Sequence, residues 1–322
     1  MLIDHEYHTS DYMIFHKYEN GKNRKIYKLP YYPDRIVHWA IIQVIEPYLI
    51  RNLIYDTYSA IPKRGMHLGL ERIRKAIRHD EKGCQYCLKM DLRHYYQSIN
   101  HEILKRKYRK LFKDPELLYL LDEIIDSVAT ADDEDLYKTY VVLLEEDIDP
   151  NTGEPIGNYL SQYSGNFYLS DFDHYIKEKL RVKHYYRYMD DIVILGETKD
   201  YLRDVYVKLR RYLKDELKLR VKGNYQIFPT YIRGVDYLGY RIFKDYTLLR
   251  KSTYKNYRTK MTAIKKKVDL GGTISYSDYC SINSYKGWLK HCNSFRLQQK
   301  YSNCLTFHVN EYYNKHIKKE VS

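Results

Sequence analysis

Two adjacent carboxylates, Asp190 and Asp191, sit in Tyr188-Met189-Asp190-Asp191 between two runs of aromatic and β-branched residues. His184-Tyr185-Tyr186-Arg187 precedes them and Ile192-Val193-Ile194-Leu195-Gly196 follows. Runs of that composition form strands with buried faces, so the stretch predicts a tight β-hairpin with the acids at its tip. An isolated Asp-Asp pair is ordinarily a solvated turn. Clamped between apolar strands it is not, because burying charge is unfavourable unless something pairs with it. A divalent cation is the natural partner, since hard cations such as Mg²⁺ prefer carboxylate oxygens.

Chemistry at such a pair calls for a further carboxylate from a separate strand. Growing a nucleic acid requires in-line attack of a 3′ hydroxyl on an α-phosphate. Two closely spaced metals can activate the attacking oxygen and stabilise the leaving pyrophosphate. Asp91 is the second source, at the end of the apolar strand Cys87-Leu88-Lys89-Met90 and the start of Asp91-Leu92-Arg93-His94-Tyr95-Tyr96. An Asp after a buried strand is often only a turn or helix starter. Its coincidence with the Asp-Asp hairpin weighs against that.

The remaining pattern is mixed α/β as far as Leu249 and helical beyond it, which suggests two lobes. Residues 14–18 and 24–30, split by Glu19-Asn20-Gly21-Lys22-Asn23, predict a hairpin with an Asn-Gly turn. Asp34 is placed to cap a helix over 35–45, with Pro47 beyond its end. Helices are expected over 66–77, 102–112, 115–128 and 199–217, and a long amphipathic one over 158–180. Strands are expected over 85–92 and 140–144, and a turn over 149–153. Short strands follow to about residue 249, including Val235-Asp236-Tyr237-Leu238-Gly239-Tyr240. Basic helices over 252–268, 276–291 and after Ser294 complete the chain.

Charge narrows the partners. The 322 residues carry 55 Lys+Arg against 42 Asp+Glu, a net +13. Residues 114–154 hold fourteen acids and a single base, Lys138, so the rest has 54 bases against 28 acids, or +26. A polyanionic partner is expected, with the acidic segment kept off its path. The 39 tyrosines, often beside Lys or Arg, suit stacking on unpaired bases, although many must simply fill the core. Five cysteines make no disulfide framework, and Cys84-x-x-Cys87 has no second pair at zinc-ligand spacing. No apolar run approaches a membrane span and no signal peptide opens the chain, so a cytoplasmic protein with no membrane partner is expected.

On these motifs nearly the whole chain resembles a bacterial reverse transcriptase. The resemblance is carried by residues 24–30, Asp34-Arg35-Ile36-Val37, Asp91 with Tyr95-Tyr96-Gln97-Ser98-Ile99-Asn100-His101, Tyr188-Met189-Asp190-Asp191, and residues 235–240 as a primer grip. Ile156-Gly157-Asn158-Tyr159-Leu160-Ser161-Gln162 is similar to the Ile-Gly-x-x-x-Ser-Gln form found in diversity-generating retroelements. Retron and group II intron enzymes usually have Gln-Gly-x-x-x-Ser-Pro there.

That resemblance implies an α/β (α+β) right-hand polymerase. Its fingers and palm hold an antiparallel sheet with the Asp-Asp hairpin, and an all-helical basic thumb follows. The implied boundaries are fingers 1–86, palm 87–112, an acidic fingers or insertion segment 113–155, palm 156–249 and thumb 250–322. It implies RNA-directed DNA polymerisation, copying a template-repeat RNA into adenine-mutagenised cDNA. Asp91, Asp190 and Asp191 match the metal-binding triad for two Mg²⁺ ions, with Mn²⁺ as a substitute and the Leu92 carbonyl as a further ligand. Tyr96 matches the steric gate against a 2′ hydroxyl. Arg24 and Lys25, or Lys63 and Arg64, are candidates for the triphosphate, and Ile156, Gly157 and Gln162 for the nucleotide. Gly157 would let the backbone approach the nucleotide, and Tyr237, Leu238 and Gly239 would grip the primer.

The implied partners are template RNA, the cDNA or primer strand, dNTPs and a small basic accessory variability protein. Three departures stand out: the chain begins later than its relatives, Lys222 is only the nearest counterpart of the general acid of motif D, and Gln97 replaces an acid. The competing readings are another bacterial reverse transcriptase (retron, group II intron-like or phage-defence) and an inactive RNA-binding scaffold.

Overall fold

The computed structural model describes residues 6–19, 22–127, 151–155 and 157–318; the side chains of residue 19 and residues 22–25 are outside that description. The Asn20-Gly21 turn, the strand expected over 140–144, the acidic loop around residues 131–135 and Ile156 lie outside the described residues. The contacts divide the chain into two compact units, Met1–Gly69 with Tyr86–Ile227, and Leu70–Gln85 with Phe228–Ser322.

In the first unit, strands β1 (Met13–Glu19) and β2 (Lys22–Lys28) pair antiparallel, Met13 opposite Lys28 and Glu19 opposite Lys22. Helix α1 runs Ile36–Arg51, longer than expected and with Pro47 inside it. Its buried stripe of Ile41, Ile42, Ile45 and Leu49 continues past the proline, and that burial outweighs the lost backbone hydrogen bond. Asp34 does not cap it. The buried Asp34 carboxylate instead accepts from Tyr7 Oη and the Ser10 N–H, both at 3.0 Å, and so ties down the N-terminal segment.

Three strands carry the site. β3 (Tyr86–Asp91), β4 (His184–Tyr188) and β5 (Asp191–Gly196) lie in the order β4–β5–β3, all antiparallel. Ile192 to Leu195 of β5 are all buried, as a strand covered on both faces requires. Helices α3 (His101–Leu111) and α4 (Pro115–Asp126) begin on side-chain caps. Asn100 accepts from the Ile103 N–H, and Asp114 accepts from Glu116 and Leu117, with Pro115 at the first helical position.

The long amphipathic helix expected over 158–180 is three pieces: Tyr159–Tyr168, Ser170–His174 and Tyr175–Lys179. Nor is its first piece amphipathic, since Leu160, Ser161 and Tyr163 to Tyr168 are all buried. Ser164, Gly165, Asn166 and Ser170 are weak helix formers, and Ser170 Oγ donates back to the Phe167 carbonyl at the break. The expected helix Lys199–Leu217 forms with Thr198 as its cap and Leu202, Val205, Leu209, Leu213 and Leu217 buried.

In the second unit, a three-stranded sheet of Val235–Tyr237, Tyr240–Ile242 and Thr247–Leu249 is followed by helices Lys251–Asp269, Tyr276–Leu289 and Phe295–Tyr301. Ser275 and Asp278 form a reciprocal capping box. Lys260 and Lys267 also donate to Asp278 and, with the Ser275 N–H, hold its carboxyl well below the usual range despite partial burial. Helix α2 (Met66–His79) and strand Gln226–Pro229 run across the division between the units. No described helix is long and apolar enough to cross a membrane.

Candidate active site

Sheet register brings the acids together. Asp91 at the end of β3 is paired with Asp191 at the start of β5, and Tyr188 of β4 lies opposite Asp191 from the other side. Only Met189 and Asp190 connect β4 to β5. A two-residue hairpin needs a positive φ at its first central position, and Met189 has φ 51°. The Leu92 N–H donates to the Asp190 carbonyl at 3.3 Å, so the hairpin tip is fastened to the chain just past Asp91.

Two lysines balance two of the acids. Lys222 Nζ lies 2.6 Å from Asp91 Oδ2, and Lys89 Nζ lies 3.4 Å from Asp191 Oδ2. Lys222 also donates its backbone N–H to the Asp91 carbonyl, which fixes it beside the acid. Asp190 has its carboxyl raised to about 7, first by burial and then by the Asp91 carboxylate beside it. A cation there would replace the proton that burial and the neighbouring carboxylate favour on Asp190.

The donor set suits a divalent ion. Its oxygens are hard, and Asp91 Oδ1 is buried with no hydrogen-bond donor. Among the described residues no three His, Cys, Asp or Glu side chains close into a metal cage. Mg²⁺ at phosphoryl-transfer sites needs none, since one or two carboxylates suffice when substrate phosphates and water fill the other positions.

Around the acids, Tyr96 packs its ring over Gly165, where a Cβ would stand 3.3 Å from the ring, and points its hydroxyl at Met189 Sδ. It therefore borders the hairpin tip. Arg64 is half-buried, donates to the Ile54 carbonyl and stacks over Tyr55. With Tyr159, Gln162 and Tyr188 it lines an open cavity of about 320 Å³. Lys63 is exposed at φ 64°. A larger cleft of about 800 Å³ shares Tyr159 and Gln162 in its lining, with Lys28, Arg35, Trp39 and Gly157 among others. Arg24 and Lys25 lie on β2 opposite Lys17 and His16.

Gly157 has a φ of +128°, and a Cβ there would lie 2.3 Å from the Tyr27 carbonyl oxygen. The chain's own β2 therefore already demands glycine at this position. In the second unit, Leu238 (φ 43°) and Gly239 (φ 90°) form the turn after the buried Tyr237. A Cβ on Gly239 would strike the Trp288 ring.

Arg187, named in the sequence only as part of the first strand run, supports the hairpin together with Asp173 and Asn166, which the sequence reading did not single out. Arg187 and Asp173 are fully buried and ion-paired at 2.6 Å, and Arg187 also bonds to Asn166. The one legible signal was an arginine in a strand otherwise made of buried aromatic residues.

A profile of the reverse transcriptase (RNA-dependent DNA polymerase) family matches residues 15–242, more than two thirds of the chain. The chain belongs to that family. It is 23% identical over 297 residues to Protein YkfC of Escherichia coli strain K12, covering 79% of this chain and 74% of that protein. Its fold is similar to apo telomerase from Candida tropicalis lacking the C-terminal domain, with a TM-score of 0.54, 12% identity, and coverage of 74% of this chain and 54% of that one. Telomerase from Candida albicans in complex with a fragment of telomeric RNA gives a TM-score of 0.53 at 11% identity, over 91% of this chain and 58% of that one. The chain thus has the polymerase fold of that family and spans little more than half the length of those telomerases.

Proposed function

We propose that the chain is an RNA-directed DNA polymerase, with Asp91, Asp190 and Asp191 as its catalytic carboxylates. The observation that carries this is the register that sets Asp91 opposite Asp191 and leaves Asp190 against Asp91 at a pinned hairpin tip. Mg²⁺ held by these carboxylates would supply activation of the 3′ hydroxyl and charge neutralisation on the leaving pyrophosphate. Asp91, Asp190 and Asp191 would hold the two ions, with the Leu92 carbonyl as a further ligand. Tyr96 closes the space beside the sugar, and Arg64 and Gln162 border the cavity next to Tyr188 that would receive the nucleotide. Lys222, as the proton donor to pyrophosphate, begins from its ion pair with Asp91. Residues 1–86 would serve as fingers, 87–112 and 156–249 as palm, and 250–322 as the basic thumb, with template RNA, primer strand and dNTPs as partners.

Within the family, the reading we favour is the reverse transcriptase of a diversity-generating retroelement. Its support is the motif from Ile156 to Gln162. Isoleucine at position 156 offers neither donor nor acceptor where related enzymes place a glutamine. One lost neutral hydrogen bond is worth about 0.5–1.5 kcal/mol, roughly two- to tenfold in discrimination. A small basic accessory protein would then dock on the acidic residues 114–154.

The test is RNA-templated extension by the purified protein, with and without that partner, followed by sequencing of the cDNA. Errors concentrated opposite template adenine, and reduced by Ile156→Gln, support the subtype. An even error spectrum on an active enzyme returns it to the retron, group II intron-like or phage-defence class. No extension under any condition would favour the RNA-binding scaffold.

A further inference from the structure

The hairpin that presents Asp190 is held in a conformation its residues do not favour. Met189 stands at φ 51°, a region that bulky L-residues avoid, and it is buried. Strain of this kind persists only where the surroundings over-determine it.

Arg187 is the main constraint. Its side chain is fully buried, and every one of its five N–H donors has a protein acceptor. Nε reaches Asp173 Oδ1 at 2.8 Å, and Nη2 reaches Asp173 Oδ2 at 2.6 Å and the Asn166 carbonyl at 3.2 Å. Nη1 donates at 3.2 Å both to Asn166 Oδ1 and to the carbonyl of Met189 itself.

The partners are fixed in turn. Asp173 also accepts from Tyr185 Oη and Thr57 Oγ1, and Asn166 Nδ2 donates to the Ser59 carbonyl at 2.6 Å. The Arg187 backbone is clamped to the 56–58 segment, accepting from the Tyr58 N–H and donating to the Asp56 carbonyl. A buried ion pair is a poor source of stability, because desolvation offsets its attraction. What a planar fork with five fixed donors supplies is geometry.

We propose that Arg187 is a positioning residue for the carboxylate hairpin. Braced by Asp173 and Asn166, its guanidinium holds the Met189 carbonyl and so fixes the direction in which Asp190 meets Asp91. This rests on the reading of Asp190 as a metal-holding carboxylate. Its consequence is selective: loosening the fork degrades the cation site and the catalytic rate, while the surfaces that bind RNA and nucleotide are untouched.

The test compares wild type with Arg187→Lys, which keeps the charge but cannot fork, and Asn166→Ala, which removes one bond to the same Nη1 and leaves the Asp173 pair. Folded fraction by circular dichroism, RNA affinity, dNTP KM, kcat and the Mg²⁺ concentration at half-maximal rate are measured. Mn²⁺ binding to the protein is followed separately by electron paramagnetic resonance. Supporting groups around metal ligands typically change affinity or activity about 10- to 100-fold when lost. Arg187→Lys should therefore lower kcat and weaken Mn²⁺ binding within that range, with RNA affinity and dNTP KM within about twofold. Asn166→Ala should show the same pattern at smaller size.

Unaltered Mn²⁺ binding in a folded variant overturns the proposal, whatever happens to kcat. If Arg187→Lys does not fold, Asn166→Ala decides by the same criterion. If wild type extends no primer, the polymerase reading fails. The Mn²⁺ comparison still stands, with weakening supporting the positioning role and equality removing it.

Discussion

Substituting Gly157 tests whether the motif around it is shaped by the chain's own packing. At φ +128° a residue with a Cβ is strained, and that Cβ would stand 2.3 Å from the Tyr27 carbonyl oxygen, where ordinary contact begins at 3.4 Å. The obstacle is backbone, so it cannot swing aside. Backbone strain of this kind costs about 1–3 kcal/mol and overpacking a tight contact about 1–3 more, so Gly157→Ala should destabilise the fold by about 2–6 kcal/mol. Gly223→Ala is the control, since nothing lies within 4 Å of its built Cβ. Urea unfolding at constant slope measures the difference, and the dNTP KM reports whether the motif has moved away from β2. Equal stability of the two variants would refute the reasoning.

Stability should respond to pH and Mg²⁺ together. Asp190, raised to about 7 in the fold, binds a proton there that the unfolded chain has released, so metal-free stability falls as pH rises from about 4 to 7. Glu154, also raised to about 7 by burial, acts with the same sign. Only the Asp190 contribution should disappear in Asp190→Asn or on adding Mg²⁺, and the rise in Tm with Mg²⁺ should be larger at pH 8 than at pH 6. A pH-independent rise would contradict a proton held on Asp190. Tyr96→Val, which empties the space between Gly165 and Met189, should raise ribonucleotide incorporation about tenfold or more in competition assays; unchanged sugar selection would place the gate elsewhere.

The sequence made the strand bearing Asp91, the hairpin bearing Asp190 and Asp191, and the helix Lys199–Leu217 legible, because each has an unbroken local signature. Period-two or continuous apolar runs mark the strands, and an apolar stripe after Thr198 marks the helix. The N-terminal helix was misjudged at Pro47 because tertiary burial of Ile45 and Leu49 carried it through a residue that local rules treat as a stop. The piece after residue 158 was misjudged for the opposite reason: burial on all sides left no amphipathic period to read.

Asp34 kept its importance but changed its task, since its partners Tyr7 and Ser10 come from a segment with no local pattern pointing at it. Beyond the arginine itself, the brace beneath the Asp190 hairpin was not legible, for the same cause. Arg187, Asp173 and Asn166 are brought together across 14 and 21 residues by the fold, and no spacing rule links them. Lys89 and Lys222 could be named as residues, but their pairing with Asp191 and Asp91 follows only from the register of β3 and β5 and from the backbone bond of Lys222 to Asp91.

We propose that the carboxylates at the β3–β5 junction perform metal-assisted nucleotidyl transfer. The most direct measurement is single-turnover extension of a DNA primer on an RNA template by wild type and Asp190→Asn, at saturating dNTP and Mg²⁺, with RNA affinity measured in parallel. The substitution keeps the shape and removes the charge, so extension should fall by at least about 10³-fold, corresponding to roughly 4 kcal/mol of lost transition-state stabilisation. RNA affinity should remain within about twofold, because the basic surface is unaltered. Extension by Asp190→Asn within about tenfold of wild type would contradict the assignment.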